Sequence, residues 1–501
     1  MDKSKQIKIG ALISYFSIFF GIAAGLIYTP WMMKEIGQSN YGLYTLAMSL
    51  INTFMIDFGL SMAAQRYITK YLAENDQKSV NNISGLIYKL YFVITFIILT
   101  ILLVLYFFIE SIYTQLSPGE IEIFKGLYII AIIYSVVSFP FIPLDGMLSA
   151  YEKFIQLKVS GLVHKILGII LTIGALVAGL GVYSLVFVNL IAGVLFIIVR
   201  LIMIKNSTPI KPNFKYKDFP VLKELFAFSV WASVSTMVFR FFLSLAPSIL
   251  GMVSPKGTAD IAVFGYAVSL ESYIYTFVTA INGFFLPRLS RISAKNSAER
   301  SSEETLKLMV VVGRFILLLF ALVFVGFLML GKDFINLIFG SEYEKSYYCT
   351  LLICAYGIIA YPQQIANTYV MVKNKVRMRA IISLIAFAVD IVLSFILGSL
   401  MGAVGISIAI CIALFLHTLL MNILYQKSLK LNMLQFFKQC HLKLLPGISL
   451  FAATSFGIAH IPISGWLGFT LKVVCICISF ALIVWIFMLK GNKKNLFAYI
   501  E

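Results

Sequence analysis

Apolar residues run along this chain in blocks too long and too uniform for a soluble fold, with the polar residues gathered in short segments between them. Ile94 to Ile109 and Phe315 to Leu330 are examples; such blocks approach or join into the roughly 20 apolar residues that cross a bilayer's hydrocarbon core. In lipid, every backbone polar group must be satisfied inside the protein, which leaves helices or a closed barrel. Barrel strands alternate apolar and polar positions, whereas these blocks are apolar on every face. The pattern therefore predicts an all-α polytopic membrane protein of about fourteen transmembrane helices. The expected spans are 9–30, 41–63, 84–108, 123–144, 159–179, 182–203, 225–250, 261–286, 308–330, 347–371, 380–398, 403–424, 444–462 and 466–489.

Composition agrees: 60% of the 501 residues are apolar and 12% are charged, and the mean hydropathy is +0.94. The net charge of +18 would suit a nucleic-acid partner, so the placement of the cations decides. With the N-terminus inside, 30 Lys and Arg fall in inner segments and only Lys34, Lys125, Lys256, Lys332 and Lys345 in outer ones. Positive charge follows the inner side of a membrane, so both termini are expected in the cytoplasm, and attraction to anionic headgroups accounts for the excess without nucleic acid. The run after Lys3, Lys5 and Lys8 is about twenty residues long, lacks a small-residue cleavage site and ends at Tyr28 and Trp31, which reads as a retained first helix and not a signal peptide. The six cysteines lie in spans or on the inner side and read as packing residues.

The chain also repeats itself at an offset of about 220 residues. Leu46-Ala47-Met48-Ser49-Leu50 lies over Tyr266-Ala267-Val268-Ser269-Leu270. Phe139-Pro140 and the turn at Tyr151-Glu152-Lys153 lie over Tyr361-Pro362 and Lys373-Asn374-Lys375. Gly179 to Ser184 answers Gly402 to Ser407. Each unit holds six spans, an even number, so the units are parallel repeats related by an axis along the membrane normal. This divides the chain into a six-helix lobe (1–204), a linker rich in Lys and Pro (205–223), a second six-helix lobe (224–426) and two appended helices with a tail (427–501).

Pro30-Trp31-Met32-Met33-Lys34-Glu35-Ile36-Gly37, Tyr41-Gly42-Leu43-Tyr44, Asp57-Phe58-Gly59-Leu60-Ser61 and Ala64-Gln65-Arg66 together resemble the N-terminal signature of the polysaccharide-exporting branch of the multidrug/oligosaccharidyl-lipid/polysaccharide (MOP) exporter superfamily. The resemblance implies a MATE-like fold and a Wzx-type flippase that moves undecaprenyl-diphosphate-linked oligosaccharide, such as an O-antigen unit, across the bacterial cytoplasmic (inner) membrane by alternating access. It implies membrane lipids and other polysaccharide assembly proteins as further partners, and no cofactor beyond coupling to protons or sodium. In lipid II flippases of this kind the extra helical pair shelters the lipid tail. An ion-coupled multidrug or metabolite antiporter of the same superfamily is the main alternative, and a membrane-embedded polysaccharide polymerase the second.

A lipid diphosphate sugar needs a polar, cationic cavity open to lipid, so ionisable residues inside spans are the candidates for function. Arg240, Arg314, Lys89 and Lys165 are the cations, joined by Arg66 from the family pattern; Asp57, Glu271 and Asp390 are the acids expected in coupling or gating. An arginine fork suits phosphate. Arg240 and Glu271 sit at similar depth in adjacent spans and are expected to pair, either permanently or as a substrate-gated couple. Lys89, Arg314 and Lys165 either line the cavity or snorkel to headgroups, and Lys472 is expected to snorkel. Asp390 reads either as a coupling acid or as a hydrogen-bond acceptor from a neighbouring helix. Pro140 and Pro362 occupy equivalent repeat positions and predict bent helices, beside the cavity or as ordinary packing kinks. Tyr266, Tyr273, Tyr275, Tyr347 and Tyr348 read as a sugar path or as interfacial anchors. No nucleotide loop and no cluster of metal-ligand spacing occurs; His164, His417, His441 and His460 are scattered. The reading is a transporter and not an enzyme.

Overall fold

The computed structural model describes residues 3–486 apart from 56, 58, 281–284 and 296. The ends of the spans expected at 261–286 and 466–489, Phe58, and Lys490, Lys493 and Lys494 therefore lie outside the described residues. Every regular element among the described residues is helical, and helices stand at all the expected places. Among the described residues eleven stretches are long and apolar enough to cross a membrane, one of which, Glu299–Val372, contains the two spans expected at 308–330 and 347–371. The other two expected spans are each built from two shorter helices, Gln38–Phe54 with Leu60–Ala73, and Phe219–Ser244 with Ala246–Val253.

The chain forms two compact units, residues 1–262 and 263–501. In the first, Lys3–Ile36 packs along Phe154–Val177, Pro118–Ser138 lies against Gln38–Phe54 and Tyr183–Ser207, and Leu60–Ala73 packs on Leu144–Ala150. The linker expected at 205–223 lies inside this unit. It is strapped to the start of Gln77–Phe107: Asn213 N donates to Asn81 O at 2.9 Å and Lys211 N to Asn81 Oδ1 at 2.8 Å. Gly85 is required there, because a Cβ would collide with the Asn213 carbonyl. Helices Phe219–Ser244 and Ala246–Val253 then return along Gln38–Phe54.

The second unit is organised around Ala298–Phe339, a 42-residue helix, and the tight hairpin of Val376–Met401 with Ala403–Ser428. The hairpin turns at Gly402 (φ 59°), a left-handed conformation that costs glycine little. The appended helices, Met433–Ala459 and Gly465–Val484, dock on the long helix through Val325, Leu330, Phe451, Ile476 and Ile483. Lys472 does not snorkel: it is buried, and Nζ donates to Ala459 O at 2.9 Å, covering a carbonyl that the end of Met433–Ala459 leaves without a helical partner.

The internal duplication is visible in the backbone. Phe139–Phe141 and Tyr361–Gln363 are both single 3₁₀ turns. Glu152 (φ 55°) and Asn374 (φ 53°) both adopt the left-handed conformation. The next residue then donates five residues back in each case, Lys153 N to Leu148 O and Lys375 N to Val370 O, both at 2.9 Å. That is the helix-ending arrangement in which an αL residue lets the chain satisfy the last carbonyls.

Candidate functional site

Each unit links one acid through a tyrosine to a proline-bearing 3₁₀ turn. In the first, the second span stops at Phe54 and restarts at Leu60. The restart is set by Gly59 (φ 69°) and by Asp57, whose Oδ1 accepts from Ser61 N at 3.1 Å, an acidic N-terminal contact favoured by the helix dipole. The same oxygen accepts from Tyr91 Oη at 2.6 Å. Tyr91 in turn packs on Phe139, 5.4 Å between ring centroids, beside Pro140, which is buried and cannot donate a backbone hydrogen bond. Ser61 Oγ donates to Ile142 O at 3.3 Å. The two interrupted helices therefore meet at their breaks, with side chains satisfying the exposed backbone, as a membrane interior demands.

In the second unit, Glu271 is 7% exposed and its Oε1 accepts from Tyr361 Oη at 3.3 Å. Tyr275, Tyr356 and Phe320 all present edges or faces to the Tyr361 ring at 5.1 to 5.6 Å. Pro362 follows Tyr361, and Gly313 is pressed against the Pro362 carbonyl so closely that a Cβ would come within 2.8 Å. Gln363 and Asn422 exchange amide hydrogen bonds at 2.9 and 3.3 Å. Asp390 is also buried, 3% exposed, and accepts from Ser394 Oγ at 3.3 Å, one turn along its own helix.

Several expectations are corrected. Glu271 takes Tyr361 as its partner in place of Arg240; Arg240 is exposed and belongs to the first unit. Lys89 Nζ donates to Tyr216 O and holds the strap, while Arg314 Nε donates to Gln439 O at 3.0 Å. Lys165 is exposed with its ammonium lying against Gly21, and Arg66 is exposed. Tyr266 is buried against Phe339 at 5.0 Å between centroids, which makes it a packing residue.

Three features were not singled out in the sequence. Arg200, counted there with the loop cations, is 7% exposed; it pairs with Asp145, donates to Ser160 Oγ at 3.3 Å and stacks over Phe196. Nothing in the local sequence distinguishes it from a snorkelling arginine. Tyr91 and Tyr361 likewise had no signal of their own until their acids were placed. Glu120 did: Ser117-Pro118-Gly119-Glu120 is a capping box. Its carboxylate also accepts from Ser39 Oγ at 2.8 Å and Thr258 Oγ1 at 2.6 Å, tying together the starts of three helices.

Comparison with known proteins follows this geometry. Residues 36–348 match a family described as polysaccharide biosynthesis protein. The chain is 22% identical over 385 residues to the probable low-salt glycan biosynthesis flippase Agl15 of Haloferax volcanii, spanning 75% of each. Lipid II flippase MurJ in an inward closed conformation matches with a TM-score of 0.72 and 17% identity, over 95% of this chain and 98% of that one. An inward-facing multidrug MATE transporter of the MOP superfamily matches at 0.68 and 12%, over 84% and 98%. A MOP superfamily transporter from Pyrococcus furiosus matches at 0.61 and 13%, over 86% and 96%. The fold is that of the MOP superfamily, in a multi-pass membrane protein.

Proposed function

Because the chain belongs to the polysaccharide biosynthesis protein family, which its residues 36–348 match, we propose that it is a flippase for a lipid-linked glycan. The substrate in this reading is an undecaprenyl-diphosphate-linked oligosaccharide, carried across the bacterial inner membrane with both termini of the protein in the cytoplasm. The observation that carries the reading is the extent of the fold. The lipid flippase structure covers 95% of the chain, whereas the MATE transporters cover 84 to 86%. Residues 427–501, beyond the duplication, are about 15% of the chain, a share like the 14 to 16% that the MATE structures leave uncovered, and they include a helical pair docked on Ala298–Phe339.

The local chemistry suits a sugar diphosphate. A carboxylate beside a tyrosine hydroxyl offers an acceptor and a donor to sugar hydroxyls, and the Gln363–Asn422 amides offer both again. Exposed Arg240 and Lys165 are the cations assigned to the phosphate in this reading. Glu271 and Asp390, both buried and each held by a hydroxyl, are the groups assigned in this reading to coupling with protons or sodium. These two acids are also what favours the antiporter as a second reading.

The test is flipping of a fluorescent undecaprenyl-diphosphate oligosaccharide in proteoliposomes by the parent protein, Arg240→Ala and Arg314→Ala. Flipping by the parent and its loss in correctly inserted Arg240→Ala is the expected outcome, with Arg314→Ala less affected because its guanidinium is held on Gln439. Absence of flipping across several lipid-linked sugars, with ion-driven export of small cations, would replace the flippase by the antiporter.

A further inference from the structure

We propose that the groove between Ala403–Ser428 and Met433–Phe437 is a binding site for an anionic phospholipid, distinct from the transported substrate. The groove holds about 680 Å³ and its wall is apolar for most of its length, through Phe415, Leu419, Ile423 and Phe437; at its polar end stand Gln426 and Lys427. Apolar grooves in a membrane protein face lipid chains as a matter of course, so the informative feature is the charge at this one's mouth.

From residue 391 to residue 500 the sequence contains no Asp or Glu. Lys427 lines the groove, and Lys430, Lys438 and Lys443 follow it in the turn and the helix that leads away from it; all four are exposed, and none makes an ion pair with a described residue. Juxtamembrane lysines left uncompensated in this way attract anionic headgroups. Leu434, Leu442 and Leu445 are 66%, 61% and 54% exposed on the same segment. Cations and bare leucines interleaved along one short stretch fit a surface lying at the headgroup boundary. A diacyl lipid with an acidic phosphate matches both features, its phosphate on the lysines and one chain in the groove.

The site also touches the machinery described above. Asn422 lines the groove and is the partner of Gln363 at the Pro362 break. His441 Nε2, on the neighbouring segment, is 3.0 Å from Ile358 O, just before that break. A chain lying in the groove therefore buttresses the broken helix, so anionic lipid supports the break mechanically and need not be carried by it.

The experiment places a tryptophan in the wall, Leu419→Trp, a position already 61% exposed. The full-length protein is reconstituted with brominated phosphatidylglycerol or brominated phosphatidylcholine, and quenching is compared with that of the parent, so that the native tryptophans are subtracted. Half-maximal quenching of the added indole at a several-fold lower mole fraction of the anionic lipid is expected. Lys427→Gln with Lys438→Gln should abolish that preference while leaving quenching by phosphatidylcholine unchanged, which also shows that the variant is folded and inserted. Equal quenching by the two lipids in the Leu419→Trp protein would overturn the proposal. Displacement of the brominated anionic lipid by equimolar undecaprenyl phosphate would overturn it too, by assigning the groove to the substrate's tail. Binding is read without transport, so failure here and failure of the flippase reading are separate results.

Discussion

The acid–tyrosine couples of the two units look alike but are built differently. Asp57 accepts from the Tyr91 hydroxyl and from the Ser61 amide, so it caps the helix that restarts after the break and holds a neighbouring span at the same time. Among the described residues Glu271 has a single hydrogen bond, longer by 0.7 Å, to a tyrosine hydroxyl that is itself ringed by aromatic side chains. A carboxylate whose lone pairs are committed to the fold is poorly placed to exchange partners during a transport cycle. A buried carboxylate held by one hydroxyl can exchange. The two couples thus differ in anchoring, the first committed to the fold and the second held by one hydroxyl, although both stand beside a proline 3₁₀ turn.

The largest effect that would break this distinction is on stability. Asp57→Ala removes a helix cap and leaves the buried Tyr91 hydroxyl without its acceptor, a loss of about 2 kcal/mol or more. A lowered unfolding temperature of the purified protein is the expected result, and an unchanged one would return Asp57 to the set of working acids. Glu271→Gln keeps an acceptor for Tyr361 and removes only the charge. Flipping should fall roughly tenfold, equivalent to about 1.4 kcal/mol in the barrier, while the unfolding temperature stays where it was. A parental flipping rate in that variant would make both couples structural.

Removing the hydroxyls sharpens the contrast on a smaller scale. Tyr91→Phe should cost about 1 kcal/mol of stability, the net worth of an ordinary hydrogen bond, and Tyr361→Phe less, its bond being longer. The reverse order in calorimetry would contradict the assignment.

The smallest effect concerns the strap at the edge of the first unit. The Tyr216 hydroxyl holds the Asp218 carboxyl below its ordinary 3.8, and the Ser79 hydroxyl and amide do the same for Asp76. A carboxyl lowered on folding stabilises the protein at neutral pH and down to its ordinary value. The contribution is lost as the pH falls on through the lowered one. Asp76→Asn and Asp218→Asn, which can still cap a helix but never carry the charge, should flatten the acid end of the profile of unfolding temperature against pH by lowering the neutral end toward it. An acid end as steep as the parent's would show that other carboxyls govern it.

Much of this was legible in the chain before folding. Runs of apolar residues located the helices, because crossing hydrocarbon is a requirement on length and composition that no tertiary contact relaxes. Pro140 and Pro362 marked the breaks they stand in, whereas the break at Asp57 and Gly59 was not foreseen, 41–63 being expected as one span. The prolines act on the backbone beside them, so sequence position alone was informative. The expected Arg240–Glu271 pair went the other way. Depth along two helices can be counted from sequence, but the rotation of each helix about its axis cannot, and rotation decides which side chains meet. The same uncertainty concealed Arg200, whose charge sits in the last turns of an apolar helix as a snorkelling arginine's would.

From the sequence alone come the bundle of membrane helices, the approximate place of each, and the repeat of the two halves. Each follows from summing many local preferences, so single errors average out. Only the tertiary structure decided which acid was tied down, which cations were spent on backbone carbonyls, and which helix face was left open as a groove beside lysines with no acid to answer them. Those outcomes depend on one or two contacts each, between residues tens to hundreds of positions apart, where nothing averages.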